Sequence, residues 1–148
     1  MTPTPTFTGQ DIGLAHYATR ALLEASLAES GTSFVDWLVI NIVATDGPAV
    51  TRDHIVARIT DGLKVDASAA SEALDGVLAT GLVTASTDDA SRVDLTPAGE
   101  DLVRRVRAAI DRITEVVYGG RPADDLATAH RVLVTVRERA NAALAGAS

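Results

Sequence analysis

Between residues 51 and 96 the chain carries a thin set of groups that could hold a phosphate backbone: the cations Arg52, Arg58, Lys64 and Arg92, and the hydroxyls of Ser68 and Ser71. Guanidinium and ammonium groups neutralise phosphates, and hydroxyls bond phosphate oxygens or base edges. Those four cations face eight carboxylates in the same segment, a net of −4. Two of the eight, Glu72 and Asp75, share the Ser68/Ser71 segment. A carboxylate there can accept from cytosine N4, but it repels phosphate. A second constellation is His16, Tyr17 and Arg20 with Trp37 and Asn41. His16 and Arg20 are one helical turn apart, as are Trp37 and Asn41. Aromatic walls with a few polar groups suit a small-molecule pocket.

Catalytic chemistry has no anchor in the chain. There is no G-x-S-x-G elbow, P-loop or dinucleotide-binding G-x-G-x-x-G. His16, His54 and His130 fall on three different predicted helices without metal-ligand spacing, so no metal, no cofactor and no enzyme activity are expected. The absence of cysteine excludes disulfides and thiolate sites.

At 148 residues and 47% hydrophobic composition, the chain is long enough for one domain with a substantial core. No apolar run reaches membrane-spanning length, and MTPTPTFT at the start lacks the basic and apolar regions of a signal peptide. A cytoplasmic protein with no membrane contact is expected. The net charge of −7 is uneven: residues 1–50 carry one cation against five carboxylates, whereas residues 97–148 carry eight Arg against seven. Arg104, Arg105 and Arg107 alternate with apolar residues and fit a solvated helix face.

The elements that must position these groups are announced by local signals. Thr8-x-x-Asp11 is a capping box with Phe7 placed to staple onto Ile12, which predicts a first helix from about Gly9 to Ser30, stopped by Gly31. Its apolar residues occupy two faces, so it should lie between neighbours, one of them in another subunit. The Thr/Pro arm ahead of it reads as extended and able to cross to a partner. Ser33-x-x-Asp36 opens a second helix, Phe34 to Thr45, apolar on nearly every side and therefore enclosed. Thr51 caps a short third helix with Val50 stapled to Ile55 and Gly62 past its end. Asp66 or Ser68 caps a fourth, with Ala70, Ala73, Leu74, Val77 and Leu78 inward and Gly81 at its stop. Two short helices joined by a turn of about four residues form a helix-turn-helix. Leu82 to Thr87 and Ser91 to Leu95 are strand candidates around Asp88-Asp89-Ala90, a β-hairpin wing. Thr96-Pro97 starts a long helix to about Tyr118, and after Gly119-Gly120 a last helix runs from Pro122 to about Leu144.

This order of elements, with Ala79-Thr80-Gly81-Leu82-Val83 before the wing and Leu95-Thr96-Pro97-Ala98-Gly99 after it, resembles the MarR family of bacterial winged-helix transcriptional regulators. The closing Asp125-Leu126 with Leu133 and Val136 is similar to the family's last helix, so the likeness covers almost the whole chain. The resemblance implies a mainly α fold with a small β-hairpin wing and a single domain over 1–148. Residues 9–30 and 97–145 would be dimerisation helices, and 33–96 the winged helix-turn-helix lobe. It further implies a homodimer on double-stranded DNA with a small aromatic ligand as effector. The wing departs from the family's Asp with paired Arg, since Thr87-Asp88-Asp89-Ala90-Ser91-Arg92 retains one Arg. Two functions follow as expectations: a regulator bound to a pseudo-palindromic operator, or a winged-helix dimer that has lost DNA binding and serves ligand or protein interaction.

Overall fold

The computed structural model describes residues 6–147, which form six helices and a three-stranded sheet. In chain order these are α1 (Gly9–Ala28), α2 (Phe34–Asp46), β1 (Val50–Thr51), α3 (Arg52–Leu63), α4 (Ala67–Thr80), β2 (Val83–Ala85), β3 (Arg92–Leu95), α5 (Pro97–Tyr118) and α6 (Ala123–Gly146). The chain divides into two compact units, one ending at Ile113 and the other beginning at Thr114. The Thr/Pro arm expected to reach a partner falls mostly outside the described residues.

The first unit holds the core. α2 is enclosed as its sequence predicts: Trp37, Val39, Ile40, Ile42 and Val43 are all buried. They join Ile55 and Ile59 of α3, Ala70, Leu74 and Val77 of α4, Val83 and Val93 of the sheet, and Leu102, Val103 and Val106 of α5. The helix starts follow their caps. The Thr8 and Asp11 side chains bond reciprocally across the first turn of α1. Ser33 accepts from the Asp36 amide and Thr51 from the His54 amide. Asp66, not Ser68, caps α4, with its carboxylate 2.8 Å from the Ala69 amide. Ser68 lies on the exposed helix surface.

Three local expectations change. α3 does not stop before Gly62 but runs to Leu63, with Lys64 in the left-handed conformation at φ 56°. The extra residue lets Leu63 pack against the core, and that packing outweighs a left-handed non-glycine residue costing ~1–2 kcal/mol. The wing strands are shorter than read, and a third strand joins them: Val50 pairs with Val93 and Thr51 with Arg92, antiparallel, giving the order β1-β3-β2. Val50 and Thr51 therefore serve as a strand and as the start of a helix, two roles that a staple-and-cap pattern does not separate. Of the two apolar faces of α1, this chain buries only Leu27, while Leu14, Tyr17 and Leu22 stay exposed, as does Phe7 ahead of it.

The exit from the wing is tied down by Thr96. Its hydroxyl donates to the Gly81 carbonyl at 2.7 Å and accepts from the Gly99 amide at 3.1 Å, capping α5 while holding it to the end of α4. Gly81 itself closes α4 at φ 79°, where glycine has no Cβ penalty. In the second unit, α6 buries none of its residues. Among the described residues no helix is long and apolar enough to cross a membrane.

Candidate nucleic-acid interface

α3, α4 and the β2–β3 wing share one lobe, and every cation that the sequence singles out there is held by a carboxylate. Arg52, the first residue of α3, places Nη2 2.8 Å from Asp75 Oδ1 on α4. Arg58 Nε lies 3.2 Å from Asp46 Oδ2 at the end of α2, and His54 Nε2 reaches the same oxygen at 2.7 Å. Lys64 pairs with Asp61 at 3.3 Å, one turn back on α3. Arg92 opens β3, donates from Nη1 to the Ala49 carbonyl at 2.8 Å and pairs with Asp89 at 3.6 Å. The pairs lie at the surface, where solvent screening leaves each a small contribution to stability. Their importance is electrostatic: the lobe neutralises its own cations, and a phosphate must compete with a resident carboxylate for each.

The carboxylates respond to their partners. The hydrogen bond from His54, aided by the Arg58 charge, holds Asp46 below the ordinary carboxylate range. Asp89 is lowered chiefly by the Ser91 hydroxyl at 2.6 Å and the Ser91 amide at 2.9 Å, with Arg92 adding charge. The wing turn is thus built around Asp89, with Ser91 and Arg92 gathered on one carboxylate.

On α4, Ser68, Glu72 and Asp75 are exposed and Ser71 half-buried, on the side opposite Ala70, Leu74 and Val77. This face is polar, small and acidic. A cleft of about 680 Å³ opens where α2, β1, α3 and β3 meet, lined by Asp46, Pro48, Ala49, Val50, Thr51, His54, Arg58 and Arg92. It unites Arg58 and Arg92, which are 34 positions apart in the chain, and adds His54, which sequence reasoning considered only as a metal ligand. The spacing of His54 and Arg58, four residues on one helix, was the available signal. What could not be read was that Asp46 would meet them from α2.

The second predicted constellation is distributed. His16 and Tyr17 meet with their rings tilted at 57° and centroids 5.5 Å apart, and Tyr17 is 67% exposed. Arg20 pairs with Glu24 at 2.8 Å and lays its guanidinium 4.1 Å over the Phe34 ring, a cation–π contact between α1 and α2 that the sequence reading lacks. Trp37 is a core residue at 3% exposure, and Asn41 is half-buried. A different cleft, about 410 Å³, lies between the end of α1 and α5, lined by Ser26, Glu29, Ser30, Arg105, Val106, Ala108, Ala109 and Arg112. Arg105 there donates to the Ser30 hydroxyl at 3.3 Å. Among the described residues no group of three or more metal-ligating side chains lies together.

Solved structures share this architecture. The chain matches the transcriptional regulator PA3341 with a TM-score of 0.75 at 22% identity, over 91% of this chain and 98% of that one. A mutant MarR from E. coli complexed with operator DNA matches with a TM-score of 0.69 at 20% identity, covering 86% and 91% of the two chains. The Mycobacterium tuberculosis MarR family protein Rv2887, in complex with p-aminosalicylic acid, matches with a TM-score of 0.65 at 18% identity, covering 88% and 98%. No family model matches the sequence, and there is no significant match among curated proteins. The fold is therefore the MarR-like winged helix, mainly helical with a small antiparallel sheet.

Proposed function

We propose that this protein is a DNA-binding transcriptional regulator that acts as a homodimer on a pseudo-palindromic operator and is released by a small aromatic effector. The observation that carries the reading is the lobe itself. A recognition-type helix with an exposed polar face follows a helix that begins in Arg52, and a wing anchored by Arg92 stands beside it. In such a motif the second helix enters the major groove while the first crosses the backbone. Ser68 and Ser71 are then the groove contacts, and Arg52, Arg58, Lys64 and Arg92 the phosphate contacts. The likeness to a MarR solved on operator DNA supports this assignment.

Self-association is supported by apolar surface. Leu14, Tyr17 and Leu22 on α1, and Leu126, Leu133, Val136 and Leu144 on α6, are all exposed in the single chain. Helix faces of this kind are buried in a dimer or become an aggregation liability. For the effector, the cleft between α1 and α5 has the volume of a small-ligand site and offers Arg105 and Arg112 to a carboxylate against Val106 and Ala109. His16, Tyr17 and Arg20 offer a second ring-binding surface. A cytoplasmic location follows from the role.

Selection of duplexes from a random pool tests the reading. The enriched sequences should carry two inverted half-sites roughly 34–36 Å apart, one helical turn. Enrichment without inverted symmetry removes the dimeric-operator reading. The self-neutralised cations favour one other reading, a winged-helix dimer devoted to ligand or protein binding, which predicts no enrichment at all.

A further inference from the structure

The Arg52–Asp75 pair differs in kind from its neighbours. Lys64–Asp61 and Arg92–Asp89 close within a single turn of chain, and Arg58 with His54 meets Asp46 on α2. Among the described residues, only Arg52–Asp75 ties a cation of α3 to a carboxylate on the exposed face of α4. Its side chains are 35% and 62% exposed, so the pair stands at the surface that a duplex would cover. A carboxylate presents a guanidinium with anionic oxygens, as a phosphodiester does, and the two compete for the same N–H groups.

We propose that Asp75 is a specificity-determining residue that acts as an internal phosphate mimic, occupying Arg52 and so suppressing sequence-independent DNA binding. This inference rests on the DNA-binding reading above. In a complex held by phosphates alone, Arg52 gains a phosphate only by leaving Asp75 unpaired against a polyanion. In a complex where Asp75 meets a base amino group in the major groove, both partners are satisfied and Arg52 is released. The pair therefore penalises phosphate-only complexes and spares those with the right base edge. The same exchange accounts for how an acidic helix can serve in a DNA reader: its carboxylate sets a threshold for binding.

The test is titration of a random-sequence duplex over a salt series with the full chain and five variants, Arg52→Ala alone among them. Asp75→Ala should tighten binding roughly tenfold, the effect of one charge-assisted contact. The slope of log affinity on log salt should steepen by about 0.9, one additional phosphate neutralised. Asp75→Asn, which keeps the side-chain shape, should reproduce the gain. Glu72→Ala removes an exposed carboxylate of the same helix that forms no ion pair among the described residues, and should give a smaller gain with an unchanged slope. With Arg52→Ala in place, Asp75→Ala should gain no more than Glu72→Ala does. Equal gains and equal slopes for Asp75→Ala and Glu72→Ala, in a protein that binds, overturn the inference and leave the DNA-binding reading standing. Absence of binding by every one of these folded proteins at about 20 mM salt overturns both.

Discussion

A Cβ placed on Gly99 would overlap the carbonyl oxygen of Leu82, so the first turn of α5 lies directly against the backbone that enters the wing. The same Leu82 oxygen accepts from the Thr96 amide at 3.1 Å. A glycine three residues after the capping threonine is thus required by contact between two segments, and the wing's orientation depends on it.

Gly99→Ala should destabilise the fold by ~1–3 kcal/mol, the range for forcing a methyl into a filled site, because backbone cannot yield as a flexible side chain does. Urea denaturation reads this directly. A loss below about 0.5 kcal/mol, within the range of ordinary surface substitutions, would mean that α5 shifts freely against Leu82.

Acid stability should depend on Asp46. Its folded pKa is depressed, first by the His54 hydrogen bond and then by Arg58, so its contribution is present above the unfolded carboxylate range and is lost as pH falls through the folded value. Asp46→Asn should lower stability at neutral pH and flatten the acid limb of the stability profile below about pH 4. A variant profile parallel to the parent's across that limb would contradict the role of the cluster. Asp89, also lowered, contributes to the limb in both proteins.

Dimerisation should depend on α6. Leu133 and Val136 lie one turn apart, each more than 40% exposed, and Leu133→Asp with Val136→Asp places two charges on the proposed interface. Sedimentation equilibrium should show the parent as a dimer and the double variant as a monomer with its helix content retained. A dimer that survives both charges relocates the interface. Removal of residues 123–148 should have the stronger effect, leaving a monomer or an aggregate.

The helices were largely legible because their starts are chemically marked. Thr8, Ser33, Thr51 and Thr96 each cap a helix at the position their spacing indicates, and the enclosed α2 shows in apolar residues on every side. β1 was not legible, since two residues carry no period and Val50–Thr51 becomes a strand only by pairing with Arg92 and Val93, over 40 positions away. The site divides in the same way. Single cations can be picked from the sequence, but which carboxylate holds each is a tertiary fact, as with Arg52 and Asp75 or His54 and Asp46. Trp37, read by type as one wall of a ligand site, is 3% exposed in the core, where its large apolar surface favours burial.

The central claim is that a lobe with its cations already paired still binds duplex DNA. Fluorescence anisotropy of a labelled random-sequence duplex against the wild-type protein, from about 20 to 200 mM salt, measures it most directly. The account predicts weak but measurable binding at the low end, falling steeply and linearly on logarithmic axes as salt rises, since released counterions drive the association. A flat, undetectable response across the whole series, from Asp75→Ala as well as from the wild type, would contradict it.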